Sequence, residues 1–176
     1  GRDATMFGFS KGGSDQELLT TYLNSEDTEE RNDCLWGLMS KREVSQEDLD
    51  CIEAQLGRTP RDVHAIGYRC PCGKPAVVET PPRLGDGTPF PTYFYATCPR
   101  LTGAISTLES TGLMGEMNER LATDAELAGA YAAAHEDYLA ARAALKMDVP
   151  EVEGISAGGM PDRVKCLHSL VAHSLC

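Results

Sequence analysis

Val63-His64-Ala65-Ile66-Gly67-Tyr68-Arg69-Cys70-Pro71-Cys72-Gly73-Lys74-Pro75-Ala76-Val77-Val78-Glu79-Thr80 is two short runs of strand-forming residues around a turn. Residues 63–70 and 76–80 are rich in β-branched and aromatic side chains, and Pro71 and Gly73 supply the turn chemistry between them. A third such run, residues 92–97, follows a longer connection, 81–91, that contains Asp86-Gly87. The spacing predicts three antiparallel strands. Prolines at 89 and 91 place the start of the third late or put it at a sheet edge.

Outward from this sheet the pattern is helical on both sides. Before it, Ser14-Asp15-Gln16-Glu17 has the form of a capping box, with Leu18, Leu19, Tyr22 and Leu23 following at helical spacing. A second helix is expected over 27–41, burying Cys34, Leu35, Leu38 and Met39. A third starts at Ser45, carries Leu49, Ile52 and Leu56 on one face, and stops at Gly57. After the sheet, residues 101–110 and 113–121 read as two helical pieces. Thr123-Asp124-Ala125-Glu126 reads as a cap opening an alanine-rich helix to about Lys146. A loop over 149–160 then leads to Pro161, which suits the first position of a last helix through Leu175. The expected fold class is α+β: a small three-stranded antiparallel sheet packed against helices. Residues 1–48 read as an acidic helical extension, and residues 49–176 as the cysteine-containing α+β domain.

Composition narrows the function classes. With 41% hydrophobic and 24% charged residues, the 176-residue chain is ordinary for a soluble domain with a core. A net charge of −11 argues against non-specific binding to nucleic acid or anionic membrane, both polyanions. Residues 1–57 carry 13 acidic and 5 basic side chains, the rest 14 and 11, so the acidic excess belongs to the N-terminal third. Those helices suit a basic protein partner. No apolar run reaches the length of a membrane span, and no basic-then-apolar leader opens the sequence. Seven cysteines cannot all pair within one chain. A reducing cytoplasm is therefore expected, where clustered cysteines more often serve metal or redox chemistry.

Four cysteines stand in polar, turn-rich settings: Cys70 and Cys72 in Arg69-Cys70-Pro71-Cys72-Gly73-Lys74, Cys98 in Thr97-Cys98-Pro99-Arg100, and Cys166 in Lys165-Cys166-Leu167-His168. Such surroundings favour the thiolate, the form that binds metal or attacks an electrophile. A turn lets Cys70 and Cys72 converge, Cys98 ends the third strand, and Cys166 comes from the last helix. Together they predict a tetrahedral site for zinc, with an iron–sulfur cluster as the alternative cofactor. Cys34 and Cys51 fall on apolar helix faces and read as core, and Cys176 as incidental. His173 lies seven residues after Cys166, nearly the same helix face, whereas His168 points almost opposite. His173, and His135 on a stripe with Tyr131, Tyr138 and Arg142, are thus the candidates for catalytic proton transfer. Arg69, Lys74, Arg100, Arg163 and Lys165 flank the proposed ligands, and Gly158 and Gly159 precede an expected helix start. From these, Arg100, Arg163, Lys165, Gly158 and Gly159 form a candidate site for a small anionic ligand.

The sequence over about 49–175 resembles an uncharacterised bacterial family, domain of unknown function 501. The resemblance rests on Arg69-Cys70-Pro71-Cys72-Gly73, Asp86-Gly87-Thr88-Pro89-Phe90-Pro91-Thr92, Thr97-Cys98-Pro99-Arg100, Gly112-Leu113-Met114 and Ala134-His135-Glu136-Asp137-Tyr138. It rests also on Gly154-Ile155-Ser156-Ala157-Gly158-Gly159-Met160-Pro161 and Arg163-Val164-Lys165-Cys166-Leu167-His168. It implies no activity. It does imply that members continue beyond the position of Cys176, so that this chain is shortened there. The expected function is a cytoplasmic metal-binding protein with a cationic site beside the metal, a site that would suit an enzyme acting on a small anion. The alternatives are a non-catalytic, metal-stabilised interaction module and a thiol redox protein using Cys70 and Cys72.

Overall fold

Ser45 starts a helix by the mechanism its sequence predicts. Its hydroxyl accepts the Asp48 N–H at 3.1 Å, and the Asp48 carboxylate accepts the Ser45 N–H at 3.1 Å, so two otherwise unpaired backbone donors are satisfied. The same helix ends at Gly57, whose φ of +67° closes the last turn onto Glu53 O. In the computed structural model, which describes residues 15–31 and 42–176, the order is α1 (Asp15–Asn24), α2 (Gln46–Leu56), β1 (Ala65–Arg69), β2 (Pro75–Glu79), β3 (Phe94–Ala96), α3 (Pro99–Ser110), α4 (Leu113–Thr123), α5 (Ala125–Ala143), a 3-10 turn (Pro150–Val152) and α6 (Leu167–Leu175). Residues 28–31 are also helical. Ser14 and most of the expected second helix, with Cys34, Leu35, Leu38 and Met39, lie outside the described residues. The chain divides into two units, Gly1–Glu43 and Val44–Cys176. α2 runs straight through residue 48 and belongs to the second unit.

The fold is α+β. β2 is the central strand, antiparallel to both β1 and β3, with Ile66 opposite Val78 and Val78 opposite Tyr95. Alternation along the strands sends the two sheet faces to different helices. Ile66 and Val78 pack on Ile52 of α2. Val77 and Phe94 pack with Tyr138 of α5, Met160 and Ala172 of α6. A third cluster of Ile105, Val164 and Leu167 joins α3 and α6. All five residues of β2 are buried, which is why this segment reads as a continuous run and not as an alternation. β3 keeps only three residues, late in the expected 92–97 run, as the flanking prolines require.

Several expected helix boundaries move, and two of the starts have a visible cause. Asp124, not Thr123, caps α5: its carboxylate accepts the Glu126 and Leu127 N–H groups at 3.1 and 3.0 Å. Thr123 instead donates to Glu119 O at 3.0 Å in the last turn of α4. The last helix begins at Leu167, six residues after Pro161. Between them the chain folds back on itself, with Arg163 N–H bonded to Gly159 O (3.1 Å) and Lys165 N–H to Gly158 O (2.7 Å).

Candidate metal centre

The residues around Cys166 are held from three sides. Asn118 of α4 donates to Val164 O at 2.9 Å and accepts the Val164 N–H at 2.8 Å. Tyr131 of α5 donates to Arg163 O at 3.2 Å. Gly158 and Gly159, at φ +68° and +92°, let the loop pass close enough to bond the Arg163 and Lys165 amides. A Cβ on Gly159 would strike Arg163 O and come within 2.9 Å of Lys165 Cβ. Cys166 is therefore delivered at the N-cap of α6 in an extended conformation, φ −153° and ψ 116°.

There it meets Glu109, from the last turn of α3, and His168, from the first turn of α6. One donor atom from each lies within 4.8 Å of the others, and all three side chains are half-buried. Glu109 Oε1 is 3.3 Å from His168 Nδ1 and accepts the Leu167 N–H at 2.7 Å. His168 Nε2 is 3.4 Å from the Ser106 hydroxyl. Burial pushes the Glu109 carboxyl up, but the Leu167 N–H and the neighbouring His168 outweigh it and hold the group below its ordinary value. A carboxylate kept ionised, an imidazole fixed through its far nitrogen and a thiol make a mixed oxygen–nitrogen–sulfur donor set. Among the described residues it is the one such group of three or more.

The four-sulfur site expected from sequence is not assembled as a unit. Cys70 and Cys72 are joined to each other in a disulfide at the tip of the β1–β2 hairpin. Cys98 shares that end of the sheet, its N–H 3.4 Å from Ala76 O, and forms the N-cap of α3. Cys166 sits against Glu109, eleven residues further along α3, or about 16 Å at the helical rise. The donor group that Cys166 joins is Glu109 and His168, with none of the other three cysteines in it.

The two histidines of α6 exchange their expected roles. Cys166 lies outside the helix, so the seven-residue repeat that placed His173 beside it does not apply. His168 takes that place. His173 stacks on Phe94 with ring centroids 5.4 Å apart and bonds Asp137 Oδ2 through Nε2 at 2.8 Å. It faces an open cleft of about 510 Å³, lined also by Tyr131, Ala134, Met160 and Leu170. His135 is 2.8 Å from the Ser156 hydroxyl, which donates to Met160 O at 3.3 Å, and so fastens the glycine loop to α5. Tyr138 and Arg142, on the same stripe, are buried and hold Pro91 O and Val152 O.

The candidate anion residues are dispersed. Arg163 and Lys165 are exposed on the segment leading to Cys166, but Arg100 is in the first turn of α3, about 14 Å along the axis from Glu109. Gly158 and Gly159 do not head a helix. Their conformations serve the tight return of the chain, which removes the helix-dipole argument for an anion there. Arg69 is engaged by Asp48 through two bonds of 2.6 and 2.8 Å. That contact is chiefly what holds the Asp48 carboxyl down at about 2.

A model of proteins of unknown function, DUF501, matches residues 66–176. The chain belongs to the DUF501 family. No curated protein and no solved structure matches it. The DUF501 region contains Glu109, Cys166 and His168 and begins after α2, so Asp48 lies outside it. Of the three donors, sequence reading of this DUF501 protein reaches Cys166, misplaces His168 and misses Glu109. A signal for Glu109 does exist. An acid in the last turn of a helix opposes the helix dipole, and α3 carries no basic residue there to offset it.

Proposed function

We propose that the chain binds zinc through Glu109, Cys166 and His168. The observation that carries this reading is the convergence of three different donor types from two helix ends. Ligand atoms around tetrahedral zinc stand roughly 3.4–3.7 Å apart. The Glu109–His168 separation of 3.3 Å is already near that edge length, and the Cys166 sulfur lies within 4.8 Å of both. The contact of His168 Nε2 with Ser106 is the kind of outer bond that orients a ligating imidazole. A single thiolate among the donors favours zinc over an iron–sulfur cluster, which is held mainly by cysteines.

Three protein donors leave a fourth tetrahedral position for water or a ligand, the pattern of catalytic and not of structural zinc. Lys165 adjoins Cys166 in sequence and is exposed, so a small anion such as phosphate is the ligand class this position would take. Cys166 has to stay a free thiol to bind the metal, so a reducing compartment such as the cytoplasm suits this reading. Among the described residues no helix is long and apolar enough to cross a membrane. The acidic excess of the N-terminal third suits a basic protein partner.

Cobalt(II) titration of the full chain tests the site, because a thiolate ligand adds a charge-transfer band and the metal's visible bands report its geometry. One cobalt per chain with a single thiolate is expected. Cys166→Ala and His168→Ala should each weaken binding by about a hundredfold or more, since even outer-shell changes cost 10–100-fold. Cys98→Ser should leave it unchanged. Loss of the band in Cys98→Ser, or its retention in Cys166→Ala, would put the metal elsewhere. Phosphate should raise the melting temperature of the zinc-loaded chain and not of the metal-free chain.

A further inference from the structure

We propose that Cys70 and Cys72 are a redox-active dithiol–disulfide pair that exchanges with small-molecule thiols through Cys72. This is independent of the zinc reading, because neither sulfur belongs to the Glu109, Cys166, His168 group.

Three observations carry it. The two half-cystines differ in access: Cys72 is exposed at the hairpin tip, and Cys70 is half-buried. An incoming thiolate reaches the Cys72 sulfur first, and access decides which sulfur of a disulfide is attacked. Next, the Cys72 N–H points at Cys70 Sγ, 3.3 Å away. A donor on that sulfur stabilises it as the departing thiolate, which speeds exchange at its neighbour. Finally, the hairpin does not need the bond. Cys70 N–H to Lys74 O at 2.9 Å and Gly73 N–H to Cys70 O at 2.8 Å close the turn through the backbone. Arg69 adds a contact to Gly73 O at 3.3 Å. A bridge between residues two apart closes a very short loop, so it restricts the unfolded chain little. The backbone keeps both sulfurs within reach after the bond opens, and reclosure is intramolecular.

The exchange balances as two displacements. A thiolate RS⁻ attacks Cys72 Sγ, the Cys70–Cys72 bond breaks, and Cys70 leaves as a thiolate while Cys72 carries the mixed disulfide. A second RS⁻ attacks the R sulfur, RSSR departs, and Cys72 becomes a thiolate. Two electrons pass from two thiols to the pair, and both cysteine sulfurs take up protons according to pH. In reverse, the dithiol reduces RSSR.

Glutathione is the probe. The full chain, equilibrated across ratios of reduced to oxidised glutathione and acid-quenched, is mapped by peptide mass spectrometry. Expected is a single two-electron transition that joins Cys70 to Cys72. Cys70→Ser should accumulate a stable glutathione adduct on Cys72, with no second thiol to expel it. Cys72→Ser should react more slowly at the half-buried Cys70, by about tenfold or more. Rapid alkylation of wild-type chain caught during reduction gives the same answer without a variant: the glutathione adduct sits on Cys72 and the alkyl group on Cys70. The reverse placement would overturn the proposal. So would a pair that stays reduced in excess oxidised glutathione, or one shielded from alkylation by bound zinc.

Discussion

The hairpin that carries Cys70 and Cys72 and the helix junction that carries Cys166 place sulfur by opposite means. In the hairpin, the partner is two residues away, and two backbone hydrogen bonds set the geometry. At the junction, the Glu109 carboxylate and the Leu167 amide it binds are 58 residues apart, and the contact exists only because α3, α4, α5 and the glycine loop are all in place. Local placement survives disturbance elsewhere. Remote placement inherits every weakness in the elements that deliver it. The two regions should therefore answer very differently to equivalent substitutions.

Gly159→Ala should produce the largest effect. The new Cβ meets Arg163 O, which is backbone and cannot swing away, and φ of +92° is unfavourable for any L side chain. Left-handed strain of 1–2 kcal/mol and an overpacking cost of 1–3 kcal/mol together predict roughly 2–5 kcal/mol of lost stability. Chemical denaturation measures it. Cobalt binding should fall as well, because the displaced segment is the one that presents Cys166. Unchanged metal affinity in a folded Gly159→Ala protein would break the link between the glycine loop and the site.

Asp48→Asn comes next and acts on the hairpin from outside it. Arg69 precedes Cys70, and its bidentate contact with Asp48 ties the hairpin to α2. Removing the charge while keeping one acceptor should cost about 1–2 kcal/mol, more than an exposed pair because Asp48 is buried. The pH dependence has a definite sign. The folded-state value lies at about 2 against an ordinary 3.8, so the contribution is present above about pH 4 and is lost as pH falls towards 2. Stability curves of wild type and Asp48→Asn, measured by urea unfolding, should converge over that interval. A constant gap down to pH 2 would mean that the Asp48–Arg69 contact does not supply it.

The same contrast explains what could be read from sequence. The strands, the α2 cap at Ser45 and its stop at Gly57 are written in contiguous residues, and the structure has them where local chemistry puts them. The convergence of Cys70 and Cys72 was legible for the same reason. Cys166 was recognisable as a polar-context cysteine, but its partners were not. The helical repeat that selected His173 presumed a helix beginning at Pro161, whereas the chain from 158 to 165 is occupied in bonding to itself and α6 starts only at Leu167. That single boundary exchanges His173 for His168. Glu109 required knowing which end of α3 lies beside α6, a tertiary fact that no run of residues encodes locally.

Gly73→Ala completes the comparison with the smallest effect. Gly73 has φ of +82°, close to that of Gly159, but a Cβ there meets nothing within 4 Å. Only the left-handed strain remains, about 1 kcal/mol, partly offset by the smaller conformational freedom of alanine in the unfolded chain. The Gly73 N–H still reaches Cys70 O, so the sulfurs should stay in register and the disulfide should form in Gly73→Ala as in wild type. Denaturation midpoints of Gly73→Ala and Gly159→Ala, taken side by side, isolate the steric component because the backbone sign is the same in both. A large gap assigns the cost at Gly159 to the crowding that positions Cys166. Equal losses would mean that left-handed strain alone governs both sites, and the junction would then be no more tightly determined than the hairpin.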